Sequence, residues 1–292
     1  MKKLLKKTYQ WYLLYGILLT VCLLYFCFPS DAFKDYFINK VSSINPHILV
    51  SIEDARPSFT LGVTFLNARF SPKTNPDIVL FKAEKITIRP DMGSVFGKRS
   101  SYSFNCHSYG GKIKGRICLT ESIGAHPFDV MANLKDIHLD ACDYFAGLIG
   151  RDSKGVLSGA ITLEGQANSL INGTGKAVLK ISNGSLPLRK PLFNLESIDF
   201  DELQVKLVLK NRQMAISQLK LEGRKMQGSL TGTIRLNRAF VKSCLDLDGT
   251  LAFHKTLFSR DTGPLETEPP EKALKLPFAI SGTIEDPEYR LS

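Results

Sequence analysis

The chain has 292 residues, 43% of them hydrophobic and 23% charged, with a formal net charge of +10. This balance excludes a disordered or fibrous chain and leaves length for one or two domains with a substantial core. Setting aside Lys2, Lys3, Lys6 and Lys7 leaves 10 − 4 = +6, carried by residues spread singly along alternating segments; no basic block interleaves with aromatics, which speaks against a nucleic-acid partner.

Residues 1–28 form the first unit. The four lysines precede an uncharged apolar run from Trp11 to Phe28. A membrane-spanning helix needs ~20 apolar residues, with a lower limit of ~17, so the run predicts a transmembrane anchor. Basic flanks stay on the cytoplasmic side, and Trp11, Tyr12, Tyr15, Tyr25 and Phe26 suit the interfacial belts. A cleaved signal peptide is the alternative, but the run ends in bulky residues rather than a small-x-small cleavage site. Lipoprotein processing at Cys22 or Cys27 lacks the small residues it would want. Everything after Phe28 is then expected across the membrane, on a single pass.

Residues 29–46 are expected to be an amphipathic helix and linker. Phe33, Tyr36, Phe37, Val41 and Ile44 recur at helical spacing, Ser30 or Asp31 can cap the start, and Pro46 ends the helix. The apolar stripe either lies on the membrane surface or, the favoured reading, packs on the following domain.

From residue 47 to 292 the period is mostly two. Ile86 and Ile88 alternate with Lys85, Thr87 and Arg89, and similar alternation covers 203–210, 229–236, 245–254 and 276–285. Period two with one polar face predicts an antiparallel, mainly β domain with one side wet. The clearest hairpin, 101–119, turns at Gly110-Gly111. A two-residue loop there would place Phe104 opposite Ile117, Tyr102 opposite Leu119, Cys106 opposite Gly115 and Cys118 opposite Ser103, with the two cysteines on opposite faces. Gly115, Gly159, Gly165, Gly232, Gly249 and Gly282 interrupt the strand patterns, which predicts a strongly curled sheet, a half-barrel, rather than a flat one. A glycine-x-Leu/Ile-x-glycine flavour at 155–165, 173–179 and 228–236 suggests a degenerate repeat. Short helices are expected at 91–96 and 140–149, segment 191–200 is ambiguous, and 263–272 reads as a polar loop.

No chemistry-bearing constellation emerges. His47, His107, His126, His138 and His254 lack metal-ligand spacing. The six cysteines contain no CxxC pair, and the four beyond the first unit are too scattered for a disulfide framework. Asp199, Asp201 and Glu202 read as a solvated turn before the strand at Leu203. Ser158-Gly159 and Ser281-Gly282 lack the nucleophile-elbow pattern. Neither an enzyme nor a bound cofactor or metal is expected.

The anchor followed by FPSDAFKDYF, then PDIVLFKAEKITIRPDMGSVFGK and SFNCHSYGGKIKGRI with Tyr109, Gly110, Gly111 and Gly115, resembles the type II secretion system protein N (GspN) family. LEGRKMQGSLTGTIRLN with Gly232, and LPFAISGTIEDPEYRL with Gly282 and Pro287, resemble the wider AsmA-like envelope proteins as well. The resemblance implies an inner-membrane anchor, a periplasmic β-rich domain and an accessory or assembly place in secreting folded proteins across the outer membrane. It carries no catalytic residues. The implied partners are the inner membrane and other type II secretion components. An alternative is a lipid-handling module whose apolar concave face holds phospholipid chains; against that alternative stands a sheet that closes on itself as dry core.

Overall fold

The structure, a computed structural model, describes residues 11–16, 18–20, 22–23, 26–58, 62–91, 93, 99–120, 127–144, 153–166, 169–192, 195–224, 226–237, 239–253 and 274–291. Helix α1 spans Ser30–Ile44. Its first turn is not capped by Ser30 or Asp31, as the sequence suggested: the cap position falls on Pro29 without a side-chain cap bond, and Asp31 instead pairs with Lys34 at 2.8 Å. At its end Asn45 is extended, as a residue before proline prefers. Part of the apolar stripe packs on the domain: Phe37 meets Phe65 with ring centroids 4.6 Å apart. Tyr36 points away and is 66% exposed.

Strands β1 (Ile48–Ser51) and β2 (Asp54–Ser58) both pair with β3 (Gly62–Pro72). From there each strand pairs antiparallel with the next: β4 (Phe81–Pro90), β5 (Arg99–Ser108), β6 (Gly111–Thr120), β7 (Pro127–His138), β8 (Lys154–Gln166), β9 (Ser169–Leu192), β10 (Leu195–Lys210), β11 (Gln213–Glu222), β12 (Met226–Arg235), β13 (Cys244–Phe253), β14 (Leu274–Gly282) and β15 (Pro287–Leu291). The chain is mainly β, a single 15-stranded antiparallel sheet that does not close. A meander of this kind follows from alternating segments joined by short turns, each strand laid beside its predecessor. Of the expected short helices, only Asp143 and Tyr144 are described as helical, and the rest of 145–149 and most of 91–96 lie outside the described residues. In segment 191–200 the described residues are strand, 191–192 ending β9 and 195–200 opening β10. The polar loop 263–272 lies outside the described residues.

The 101–119 hairpin is real, but its register differs from the one read from Gly110-Gly111. Phe104 faces Gly115, Tyr102 faces Ile117, Cys106 faces Ile113 and Cys118 faces Ser101. The two loop residues are Tyr109 (φ 52°) and Gly110 (φ 73°), the left-handed pair a tight hairpin turn requires. Tyr109 tolerates that backbone because its ring is held: the Lys82 amide donates to its phenol oxygen at 2.9 Å, and Phe81 meets it edge-on at 5.9 Å. Gly111 is needed for another reason, since a Cβ there would fall on the Asp136 carbonyl of β7. Cys106 and Cys118 remain on opposite faces, and all six cysteines are free.

Candidate apolar trough

The cross-strand register lines up side chains in rows. One row starts on β2 at Pro57 and runs through Val63, Ile88, Phe104, Gly115 and Ala132. It continues on β8 through Ile161, Ala177, Leu207, Ile216 and Gly232, and ends at Leu247, Ile280 and Tyr289 on β15. Its neighbour runs from Ala55, Phe65, Ile86 and Cys106 to Gly249 and Phe278, and a third from Tyr102 through Val130 and Leu209 to Leu245. No charged side chain enters these rows. At ~4.8 Å per strand the first row is about 60 Å long, and three rows span roughly 14 Å.

Between β5 and β9 nearly every member of the rows is half-buried; Cys106 alone is buried. The following strands are denser. Phe200, Leu203, Leu221, Met226, Leu251 and Phe253 form one buried cluster, and Ile216, Ile234 and Leu247 a second. On β13 Leu247 is 6% exposed and Leu251 8%, and the described elements packed closely against β13 are its sheet neighbours β12 and β14. Burial on one face is what a sheet curled toward that face would give, and large twisted sheets tend to curl. This apolar face, the candidate trough, is densely packed along β10–β13 and half-buried along β5–β9 among the described residues.

Two devices shape it. The first pairs phenylalanine with a glycine directly opposite: Phe104 with Gly115, Phe128 with Gly165, Phe200 with Gly184 and Phe278 with Gly249. A Cβ on Gly115 would come within 2.6 Å of Phe104 Cζ, and one on Gly249 within 2.6 Å of Phe278 Cζ, so the rings lie over the glycine backbone. A recumbent ring covers the sheet without standing into the space above it. The second device is a left-handed residue inside three strands: Asn67 on β3 (φ 49°), Asp136 on β7 (φ 55°) and Asn183 on β9 (φ 52°). Such residues bend a strand and sharpen its twist. Beyond Asn67 and Asp136 lie buried residues, Ala68 at 0%, Ile137 at 5% and Leu139 at 3% exposure. At the β1–β3 edge, α1 covers the face through Phe37.

Burial pushes the Cys106 thiol up to about 12, with the nearby Glu84 carboxylate adding to it. Burial also raises the Tyr109 phenol above its ordinary range. Asp201 and Glu202 do not form a solvated turn but lie within β10, where Glu202 pairs with Lys180 at 2.5 Å and Asp201 with Arg224 at 3.8 Å; the Lys180 contact holds the Glu202 carboxyl below its usual range. Among the described residues no three His, Cys, Asp or Glu side chains gather as metal ligands.

Lys2, Lys3, Lys6 and Lys7 lie outside the described residues. Trp11 is helical and 67% exposed, and Phe28 stacks on Phe33 at 4.7 Å. Among the described residues no helix is long and apolar enough to cross a membrane. Gly232 lies in the first trough row, with a φ of 139° and the Asp246 carbonyl where a Cβ would stand. Gly282 pairs with Pro287 where β14 meets β15. The sequence reading singled out the glycines as bends but missed the phenylalanines facing them, because that pairing is visible only once the register is known. No family model matches the chain, and neither a curated protein nor a solved structure matches it.

Proposed function

We propose that the chain is a non-catalytic, membrane-tethered module that holds phospholipid acyl chains in its apolar trough. The observation that carries this reading is the unbroken row from Pro57 to Tyr289, flanked by two rows of the same character and half-buried above β5–β9. A soluble sheet would be expected to cover such a strip, because exposed apolar patches rarely exceed a few hundred Å². One leaflet's acyl chain spans ~15 Å, half of a ~30 Å hydrocarbon core, so a trough of about 60 Å accommodates a chain laid across the strands. The uncharged run 11–28 behind four lysines supports an inner-membrane anchor with a cytoplasmic N-terminus and the sheet in the periplasm. The resemblance of the segments around Gly232 and Gly282 to AsmA-like proteins agrees with this placement.

A second reading makes the chain an accessory or assembly component of the type II secretion system. Its support is the resemblance of residues 28–37, 76–98 and 103–117 to protein N of that system, together with β15, which among the described residues is a sheet edge to which a partner strand could add. Pro287, Glu288 and Arg290 on that edge disfavour it, since proline and charge protect edges from pairing.

The test is lipid extraction and mass spectrometry of the detergent-purified full chain, beside an Ala177→Trp variant. Ala177 is half-buried mid-trough between Ile161 and Leu207, so an indole there fills the space. The trough reading expects at least stoichiometric phospholipid in the parent and a loss of it in the variant, with unchanged circular dichroism. Equal lipid content in both would overturn it, and crosslinks from β15 to secretion components would then favour the second reading.

A further inference from the structure

The opposite, wet face of the sheet is electrically lopsided. Over β4–β7 one row reads Lys85, His107, Lys112, Lys135, each directly opposite the next. Two residues along, Lys114 stands among Thr87, Asn105 and Asn133; two further, Arg89 and Arg116 stand with Ser103 and Met131. Those three rows hold six lysines and arginines, all exposed, and no carboxylate. Among the described residues the one ion pair these six make is Arg116 with Asp91, at 3.8 Å. Over β12–β15 the same face carries Arg235, Lys275 and Arg290 against Asp246, Asp248 and Glu288, a net 3 − 3 = 0. There, paired hydroxyls such as Ser229 and Thr250, 2.9 Å apart, show what a wet face needs for the fold alone. Like charges placed directly opposite, as Lys112 and Lys135 are, work against the sheet.

We propose that the wet face of β4–β7 docks on an anionic lipid bilayer, its lysine row engaging phosphate-bearing headgroups. At ~4.8 Å per strand the four-residue row is about 14 Å long, a broad surface rather than a pocket for a discrete ligand. Its charges sit on long flexible stems, which suits a fluid headgroup layer. Met131, 54% exposed among these cations, gives the patch an apolar contact for the headgroup boundary. Apart from the His107 imidazole, the three rows contain no ring on which a base could stack, whereas single-stranded nucleic acid binding uses successive aromatic platforms. The strands concerned follow closely on α1, and α1 on the apolar run 11–28, so a tethered chain holds this part of the sheet near a bilayer. The docking surface stands on charge distribution alone and does not require the trough to hold lipid.

The full chain would be reconstituted in nanodiscs of phosphatidylcholine, with or without phosphatidylglycerol, and its lysines acetylated and read by mass spectrometry. Acetylation of Lys85, Lys112 and Lys135 should slow at least about threefold with the anionic lipid, while Lys220 and Lys275 stay unchanged. About 0.5 M salt should erase the difference, since charges on an exposed surface are screened over a few ångströms there. A Lys112→Gln/Lys135→Gln variant should lose most of the protection at Lys85. Equal protection at Lys275, no protection at all, undiminished protection of Lys85 in the variant, or protection appearing with an acidic peptide or RNA and not with phosphatidylglycerol would each overturn the proposal.

Discussion

Replacing Gly115 by alanine tests how the trough floor is built. Gly115 sits on β6 opposite Phe104, and a Cβ there would stand 2.6 Å from Phe104 Cζ and fall on the Met131 carbonyl oxygen of β7. The ring can tilt away; the carbonyl belongs to the sheet ladder and cannot. Overpacking of this kind costs ~1–3 kcal/mol, and a backbone clash places Gly115→Ala in the upper part, about 2–3 kcal/mol. For a domain of this size each kcal/mol lowers Tm by ~2–4 °C, so a fall of roughly 5–10 °C is expected. Gly165→Ala is the matched control: it also faces a phenylalanine, Phe128, but its nearest heavy atoms lie 3.3 Å and 3.4 Å from a new Cβ. Alanine also lowers the entropy of the unfolded chain, so this variant should stay within about 3 °C of the parent. Thermal unfolding followed by circular dichroism at one fixed scan rate measures both. If Gly115→Ala melts with Gly165→Ala, recumbent rings over bare glycine do not shape the floor.

Three further outcomes are expected. Phe37→Ala removes the ring that α1 lays on Phe65 and should cost roughly 2 kcal/mol, with faster amide exchange in β1 and β2 and none in β10–β13. Asn183→Val puts a β-branched side chain on a left-handed backbone (φ 52°) and should destabilise by ~1–2 kcal/mol, whereas Asn183→Gly should be close to neutral; urea denaturation separates them. Because burial holds the Cys106 proton up to about 12 in the fold but near 9 in the unfolded chain, the unfolded state loses that proton first as pH rises. The stabilisation is therefore complete below pH ~9 and declines above it, and Cys106→Ser should flatten the stability profile between pH ~9 and ~10, below the range where Tyr109 adds a loss of the same sign.

Strand identity and facing were legible because period-two alternation is a direct projection of a half-buried antiparallel sheet. The runs at Leu203, Leu230, Leu245 and Leu276 all fall on strands of the expected facing. The glycine-punctuated segments fall on β8, β9 and β12, where Gly159, Gly175 and Gly232 stand in trough rows. The turn residues were not legible. Gly110-Gly111 looked like the loop, but Gly111 is claimed by the close approach of β7, and Tyr109 takes its place through contacts with Phe81 and Lys82, both distant in sequence. The left-handed residues Asn67, Asp136 and Asn183 carry no local signal, since asparagine and aspartate also serve as ordinary polar strand residues. Asp199, Asp201 and Glu202 looked like a turn because acids cluster there, yet all three lie in β10, with Glu202 paired to Lys180 and Asp201 to Arg224. The lopsided wet face was invisible in a linear reading, because Lys85, His107, Lys112 and Lys135 come together only across four strands.

Whether the trough holds acyl chains is most directly measured by a photo-activated crosslinker placed at two positions in the full chain. Position 177 lies in the half-buried part of the trough, and position 231 lies exposed on the neutral half of the wet face. Irradiation in a phospholipid membrane followed by intact mass measurement should give a lipid-mass adduct from 177 and none from 231. Absence of an adduct at 177, or equal adducts at both positions, would contradict a lipid-holding trough.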